Sequence, residues 1–146
     1  MIKYKNGCVL NALDRQDVGY VLHCCNAQGV MGSGIAKSIK ERYPEVFEEY
    51  LEGLHEGLGS WSGSLENGII NIIGQEYYGR GKRQGHYGHI AKAFIDVGNY
   101  ISHFNEGIVI GIPYKFASDR AGCDWEIILE LIEVFFKDFE IHIYKL

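Results

Sequence analysis

A chain of 146 residues has the length of one domain, and it carries 19 glycines against 2 prolines. The glycine excess has no three-residue period, which excludes collagen, and 47% hydrophobic with 13% aromatic residues excludes a disordered tail. A net charge of −5, from 14 Lys+Arg and 19 Asp+Glu, argues against a broad nucleic-acid surface but permits a small anion held by backbone N–H groups. No apolar run approaches the ~18 residues of a membrane span, and the N-terminal Met-Ile-Lys-Tyr-Lys-Asn lacks a signal-peptide core. Cys8, Cys24, Cys25 and Cys123 show neither CxxC nor Cys/His ligand spacing. These features lead us to expect a single domain over 1–146, cytoplasmic, with reduced thiols, no metal, no cofactor and no membrane partner.

In chain order, the alternating residues 2–5 predict a short edge strand, and the compact apolar run 19–25 predicts a buried central one. Residues 26–34 break regular structure. A helical pattern starts at Ile35 and runs to Pro44, which suits the first turn of a second helix. That helix should turn Val46, Phe47, Tyr50, Leu51 and Leu54 inward and Glu45, Glu48, Glu49, Glu52 and Glu56 outward, a solvated acidic face. Strands near 63–66 and 69–73 flank Asn67-Gly68, a hairpin signal. A polar loop with His86, Tyr87 and His89 at its end leads into a helix over 89–104 (Ile90, Ala93, Phe94, Val97, Ile101). A strand at 107–112, a helix at 124–136 and a strand at 141–144 complete the chain. The order β-β-α-α-β-β-α-β-α-β predicts an α/β domain with a sheet covered on both faces.

The informative segment is the strand–loop–helix from Val21 through Gly29, Gly32 and Gly34 into Ile35. Ligands of open α/β sheets bind at the C-terminal strand ends, beside helix N-termini. Glycines there let a phosphate approach several N–H groups. Neither a Walker nor a Rossmann glycine pattern is present, which leaves NTPase and dinucleotide-redox readings unsupported.

His23-Cys-Cys-Asn26-Ala-Gln-Gly-Val-Met-Gly-Ser-Gly34-Ile-Ala36 resembles the first ligand loop of macro domains. The resemblance is to the branch containing the yeast ADP-ribose 1″-phosphate phosphatase, the terminal ADP-ribose glycohydrolases and phage-encoded relatives. It spans nearly the whole chain. Asn6 to Leu10 matches the segment after the family's first strand, Gly111-Ile-Pro113 with Asp124-Trp125-Glu126 matches the second loop, and Ile143 to Leu146 matches the closing Tyr-x-Leu. The resemblance implies a three-layer α/β/α fold with a mixed sheet of about six strands, and ADP-ribose or a derivative as partner.

On this resemblance Asn26 meets the distal ribose, where an amide can donate to one hydroxyl and accept from its neighbour. Gly29, Val30, Met31, Gly32, Ser33, Gly34 and Ile35 wrap the diphosphate and ribose, with Met31 either covering a sugar face or packing in the core. Val9 meets the adenine edge, and Leu146 of the closing Tyr-x-Leu is a further ligand-binding residue. The departures are equally specific. Cys8 stands where the family has an adenine-binding aspartate. The second loop, Ala117-Ser118-Asp119-Arg120-Ala121-Gly122, lacks the usual Gly-x-Gly; Arg120 is placed to pair with phosphate and Asp119 to activate water, or the two pair with each other. The glycohydrolases' catalytic lysine falls near Gln75, and their catalytic aspartate near Ala121.

Metal-free hydrolysis needs a group to activate water and another to stabilise the leaving group. The candidates are His23, which aligns with the histidine of the phosphatase motif, and Asp119, with Ser118 as an alternative. The expected activity is release of phosphate from ADP-ribose 1″-phosphate. The alternatives are a binding module without turnover and a hydrolase removing ADP-ribose from protein or nucleic acid.

Overall fold

The computed structural model describes residues 1–64, 66–78, 82–104, 107–118 and 121–146. The elements are β1 (Ile2–Asn6), α1 (Val9–Asp14), β2 (Tyr20–Asn26), α2 (Gly34–Arg42), α3 (Pro44–Gly53), β3 (Trp61–Gly63), β4 (Ile69–Gln75), α4 (Tyr87–Phe104), β5 (Val109–Pro113), α5 (Trp125–Phe135) and β6 (Glu140–Lys145). A short 3₁₀ turn over Leu54–Glu56 follows α3. The six strands form one mixed sheet in the order β1-β6-β5-β2-β4-β3, parallel except for β3, which pairs antiparallel with β4. The expected α/β architecture is what the chain adopts.

Strand periodicity explains the two cores. On β2 and β4, Tyr20, Leu22, Ile70 and Ile72 pack with Ile90, Phe94, Val97, Ile128 and Ile132 of α4 and α5. Their alternates Val21 and Ile69 pack with Val9, Leu10, Ile39 and Val46 of α1, α2 and α3, while Cys25 and Ile73 meet Met31 and Tyr50. Both faces of β2 and β4 are therefore apolar, which is why these strands read as continuous hydrophobic runs rather than alternating ones. The helices after β2 lie on one face and the helices after β4 and β5 on the other. This divergence opens a crevice at the C-terminal ends of β2 and its neighbours.

Some expected boundaries move. Helix α1 has no counterpart in the sequence reading, because six residues are too few to display a helical period. The hairpin strand lies earlier than residues 63–66, since Trp61 pairs with Ile72 and Gly63 with Ile70. Glu66 and Asn67 are thus turn and residue 65 lies outside the described residues, while Gly68 adopts φ +75° where a Cβ would sit 2.7 Å from the Gly19 carbonyl. Leu51, expected inward, is 42% exposed, and Glu49, expected outward, is half-buried and accepts from Asn67 at 2.9 Å. Helix α4 starts two residues before the expected His89, at Tyr87.

Candidate functional site

The first loop is organised from its own asparagine. A register shift between Cys25 and Asn26 skips Gly74, so that Asn26, the last residue of β2, pairs with Gln75 at the end of β4. Its Oδ1 accepts from the N–H of Gln28 (2.9 Å) and Val30 (3.3 Å), and its Nδ2 donates to the Val30 carbonyl (2.7 Å). Tyr50, buried on α3, clamps the same turn: its hydroxyl reaches the Asn26 carbonyl (2.5 Å) and Oδ1 (2.8 Å) and accepts from Gly29 N–H (3.1 Å). Gly29 sits at φ +82°, beneath the Leu51 and Leu54 side chains.

Beyond Val30 the hydrogen bonding stops. The backbone N–H groups of Met31, Gly32, Ser33, Gly34, Ile35 and Ala36 have no partner among the described residues, and Lys37 is the first to bond back, to Ser33. Ser33 is an extended N-cap (φ −154°, ψ 161°) whose side chain makes no capping bond. The N-terminus of α2 therefore presents free donors with a positive dipole end. Gly34, at φ +58°, faces open space where a Cβ would project.

The second loop is strained in a complementary way. Lys115 and Ala117 both adopt φ 60°, the left-handed region that non-glycine residues rarely enter. Phe116 N–H bonds to Pro113 (3.0 Å) and Ser118 N–H to Lys115 (2.8 Å), so Lys115 and Ala117 keep free N–H groups among the described residues. Backbone bonds tie the walls together: Ala27 N–H to Glu76 O (3.2 Å), Glu76 N–H to Gln84 O (3.0 Å), and Gln84 N–H to Ala121 O (2.8 Å).

Between the loops lies a cleft of about 740 Å³. Of the residues singled out from sequence, His23, Asn26, Val30, Met31, Gly32, Ser33, Gly34, Ile35, Ala117, Ala121 and Leu146 line it. Cys8, Val9, Gly29, Ser118 and Gly122 do not; Cys8 caps α1 and Val9 is buried against that helix's layer. Asp119 and Arg120 lie outside the described residues. The cleft also takes in Gln75, Tyr78, Tyr114 and Lys115, which sequence reasoning missed as ligand contacts. The available signal was positional, since Gln75 and Tyr114 sit at the C-terminal ends of β4 and β5.

The buried polar groups are structural in their bonding. His23 is fully buried and its Nε2–H donates to Asn71 Oδ1 at 2.6 Å; this tautomer follows because the Asn71 amide nitrogen reaches Val46 O (3.3 Å) and Ser62 Oγ (3.2 Å). Burial pulls its pKa down to about 4, only partly offset by the Asn71 bond, so the ring is neutral at pH 7. Burial likewise pushes the Cys24 thiol up to about 12 and raises Cys25, so neither is a nucleophile at neutral pH. Gln75 is 8% exposed and donates to Tyr77 O at 2.7 Å. Among the described residues no group of three His, Cys, Asp or Glu is arranged to hold a metal, and no helix is long and apolar enough to cross a membrane.

No family model matches the chain. In an alignment 135 positions long that covers 86% of this chain, it is 30% identical to the DNA ADP-ribosyl glycohydrolases of Mycobacterium tuberculosis and Mycobacterium bovis. It spans 36% of the length of those curated relatives. Among solved structures, the macrodomain of Mycobacterium tuberculosis DarG matches with a TM-score of 0.77 and 28% identity, over 99% of this chain and 97% of that one. This chain has the macrodomain fold. Thermosipho africanus DarTG in complex with ADP-ribose matches the macrodomain with a TM-score of 0.71 and 15% identity, over 88% of this chain and 38% of that one.

Proposed function

We propose that this macrodomain binds ADP-ribose in the cleft and hydrolyses the bond between its distal ribose and an attached group. The observation that carries the reading is the run of free backbone donors from Met31 to Ala36, joined in the same cleft by those of Lys115 and Ala117. A diphosphate supplies the acceptors and charge that such an array lacks. Asn26 acts chiefly by shaping the loop, since its Oδ1 and one amide proton are already engaged, and its remaining N–H is the part left for a ribose hydroxyl.

The attached group favoured here is a nucleic-acid base, because the curated relatives at 30% identity are DNA ADP-ribosyl glycohydrolases. In the proposed step a water oxygen bonds to the anomeric carbon of the distal ribose. The bond to the attached group breaks, and the water's proton ends on the departing atom. Gln75 occupies the cleft where the resemblance would place a catalytic lysine. A neutral amide forms no imine with a sugar, so direct displacement by water is the route left to this chain. Asp119 is the candidate base and Arg120 the candidate phosphate partner; His23 supports the cleft floor, its Nε2 proton being committed to Asn71. A second reading, removal of phosphate from ADP-ribose 1″-phosphate, is favoured by the likeness of the His23–Gly34 loop to the phosphatase motif.

Product analysis separates these readings. Incubation with ADP-ribosylated single-stranded DNA should release free ADP-ribose, and Asp119→Ala should slow that release. Phosphate release from ADP-ribose 1″-phosphate without action on the DNA would favour the second reading. Calorimetric binding of ADP-ribose without turnover of either substrate would reduce the protein to a binding module.

A further inference from the structure

This inference rests on the reading that the cleft takes ADP-ribose while a macromolecule stays outside. We propose that the rim of the cleft is a docking strip for single-stranded nucleic acid, built from Tyr77, Tyr78, Tyr114, Lys82, Lys115 and Lys145.

Tyr77 and Tyr78 are consecutive, 50% and 60% exposed, and Tyr78 lines the cleft. Their exposure is not that of a loose loop. Tyr77 O accepts from Gln75, and Glu76 is held on both sides by Ala27 and Gln84. The Tyr77 ring is thus kept in solvent on a backbone held at its carbonyl, with the exposed Tyr78 ring next to it, although burying either would be favourable. On the other side of β2, Tyr114 follows β5 and also lines the cleft, with Lys145 Nζ 5.0 Å and Lys115 Nζ 5.7 Å from its ring centre. Lys82 belongs to the segment lying against Gly122, beside the second loop.

The charge of this rim runs against that of the molecule, whose net charge is −5. Among the described residues, Lys82, Lys115 and Lys145 stand there with the carboxylates of Glu76 and Asp124. Asp124 caps α5 through Glu126 N–H (2.8 Å), and Glu76 lies 3.8 Å from His86. The acidic surplus lies elsewhere, along α3 (Glu45, Glu48, Glu52) and α5 (Glu126, Glu130, Glu133). Lysines alone would suit any polyanion. Tyr114 is half-buried against Trp125, but the exposed rings of Tyr77 and Tyr78 add a demand for flat partners, which unpaired bases meet and an acidic peptide does not. A duplex keeps its bases stacked inward, so the fitting partner is a single strand. The strip is local, which reconciles it with the acidic total.

The test uses fluorescence anisotropy with three dye-labelled probes: ADP-ribose, a short single-stranded DNA carrying ADP-ribose on one base, and an ADP-ribosylated acidic peptide. The strand-attached probe should bind roughly tenfold more tightly than ADP-ribose alone, with the gain shrinking as salt rises. Tyr77→Ala and Lys145→Ala, both outside the cleft lining, should each remove much of that gain and leave free ADP-ribose affinity unchanged. Equal affinity for the DNA probe and ADP-ribose alone would overturn the strip, as would variants that leave the gain intact. A peptide probe matching the DNA probe would overturn the nucleic-acid assignment. Failure of every probe to bind would instead remove the reading of the cleft itself.

Discussion

Acidification should weaken this fold in large part through His23. Its folded pKa is about 4, below the ordinary value of 6.5, because burial disfavours the imidazolium. The unfolded chain therefore takes up a proton before the folded chain does. The stability this supplies is fully present above about pH 6.5 and is lost as pH falls towards 4. Each unit in that window is worth about 1.4 kcal/mol, so acidifying to about pH 4.5 should cost roughly 3 kcal/mol. That is a large share of the ~5–15 kcal/mol typical of a domain. Urea unfolding followed by tryptophan fluorescence, under reducing conditions and at pH steps from 7 down to 4.5, measures the slope. His23→Gln keeps a donor for Asn71 but does not titrate, so its slope should be shallower by the His23 share. Glu49, held above the usual carboxylate range by burial, and Glu140, held below it by Lys3, titrate in both proteins and cancel in the comparison. Equal slopes for His23→Gln and the parent would refute the reasoning.

Two further substitutions probe the loops. Tyr50→Phe removes the hydroxyl that joins α3 to Asn26 and Gly29; it should destabilise the fold by about 1–2 kcal/mol and weaken ADP-ribose binding several-fold in calorimetry. Unchanged binding would show that the first loop holds its shape without this clamp. Gly34→Ala meets no protein atom within 4 Å but forces a Cβ onto φ +58°; the expected stability cost is about 1–2 kcal/mol, read by thermal melting, and binding should fall because the donors of α2 are re-aimed. A neutral outcome would remove the requirement for a left-handed residue there.

Much of the fold was readable because strands and helices leave different periods. The long amphipathic pattern of α4 and the apolar β2 and β5 runs appear close to where expected, as does Pro44 opening α3. Asp124, expected as the first residue of its helix, instead caps α5 by accepting from Glu126 N–H. Helix α1 and the β3 register were not readable, since both depend on what the segment packs against. The site divides along the same line. The glycine loop could be found from residue types, whereas Gln75, Tyr78, Tyr114 and Lys115 enter the cleft only because β4 and β5 flank β2 in the sheet.

The amino-acid order alone carries the alternation of strand and helix, the glycine-bearing turn after the central strand, and the likeness to macro domains. These are local properties, set by side-chain period and by which residues tolerate a given backbone angle. The assignment of polar side chains to structure or to chemistry came from the fold. His23 and Asn26 stand three residues apart beside the same cleft, yet His23 donates to a partner on β4 while Asn26 ties up its own loop and Tyr50. A histidine's pKa depends on who surrounds it, and an asparagine's spare hydrogen bonds depend on what it already holds. Contacts between residues far apart in the chain decide both.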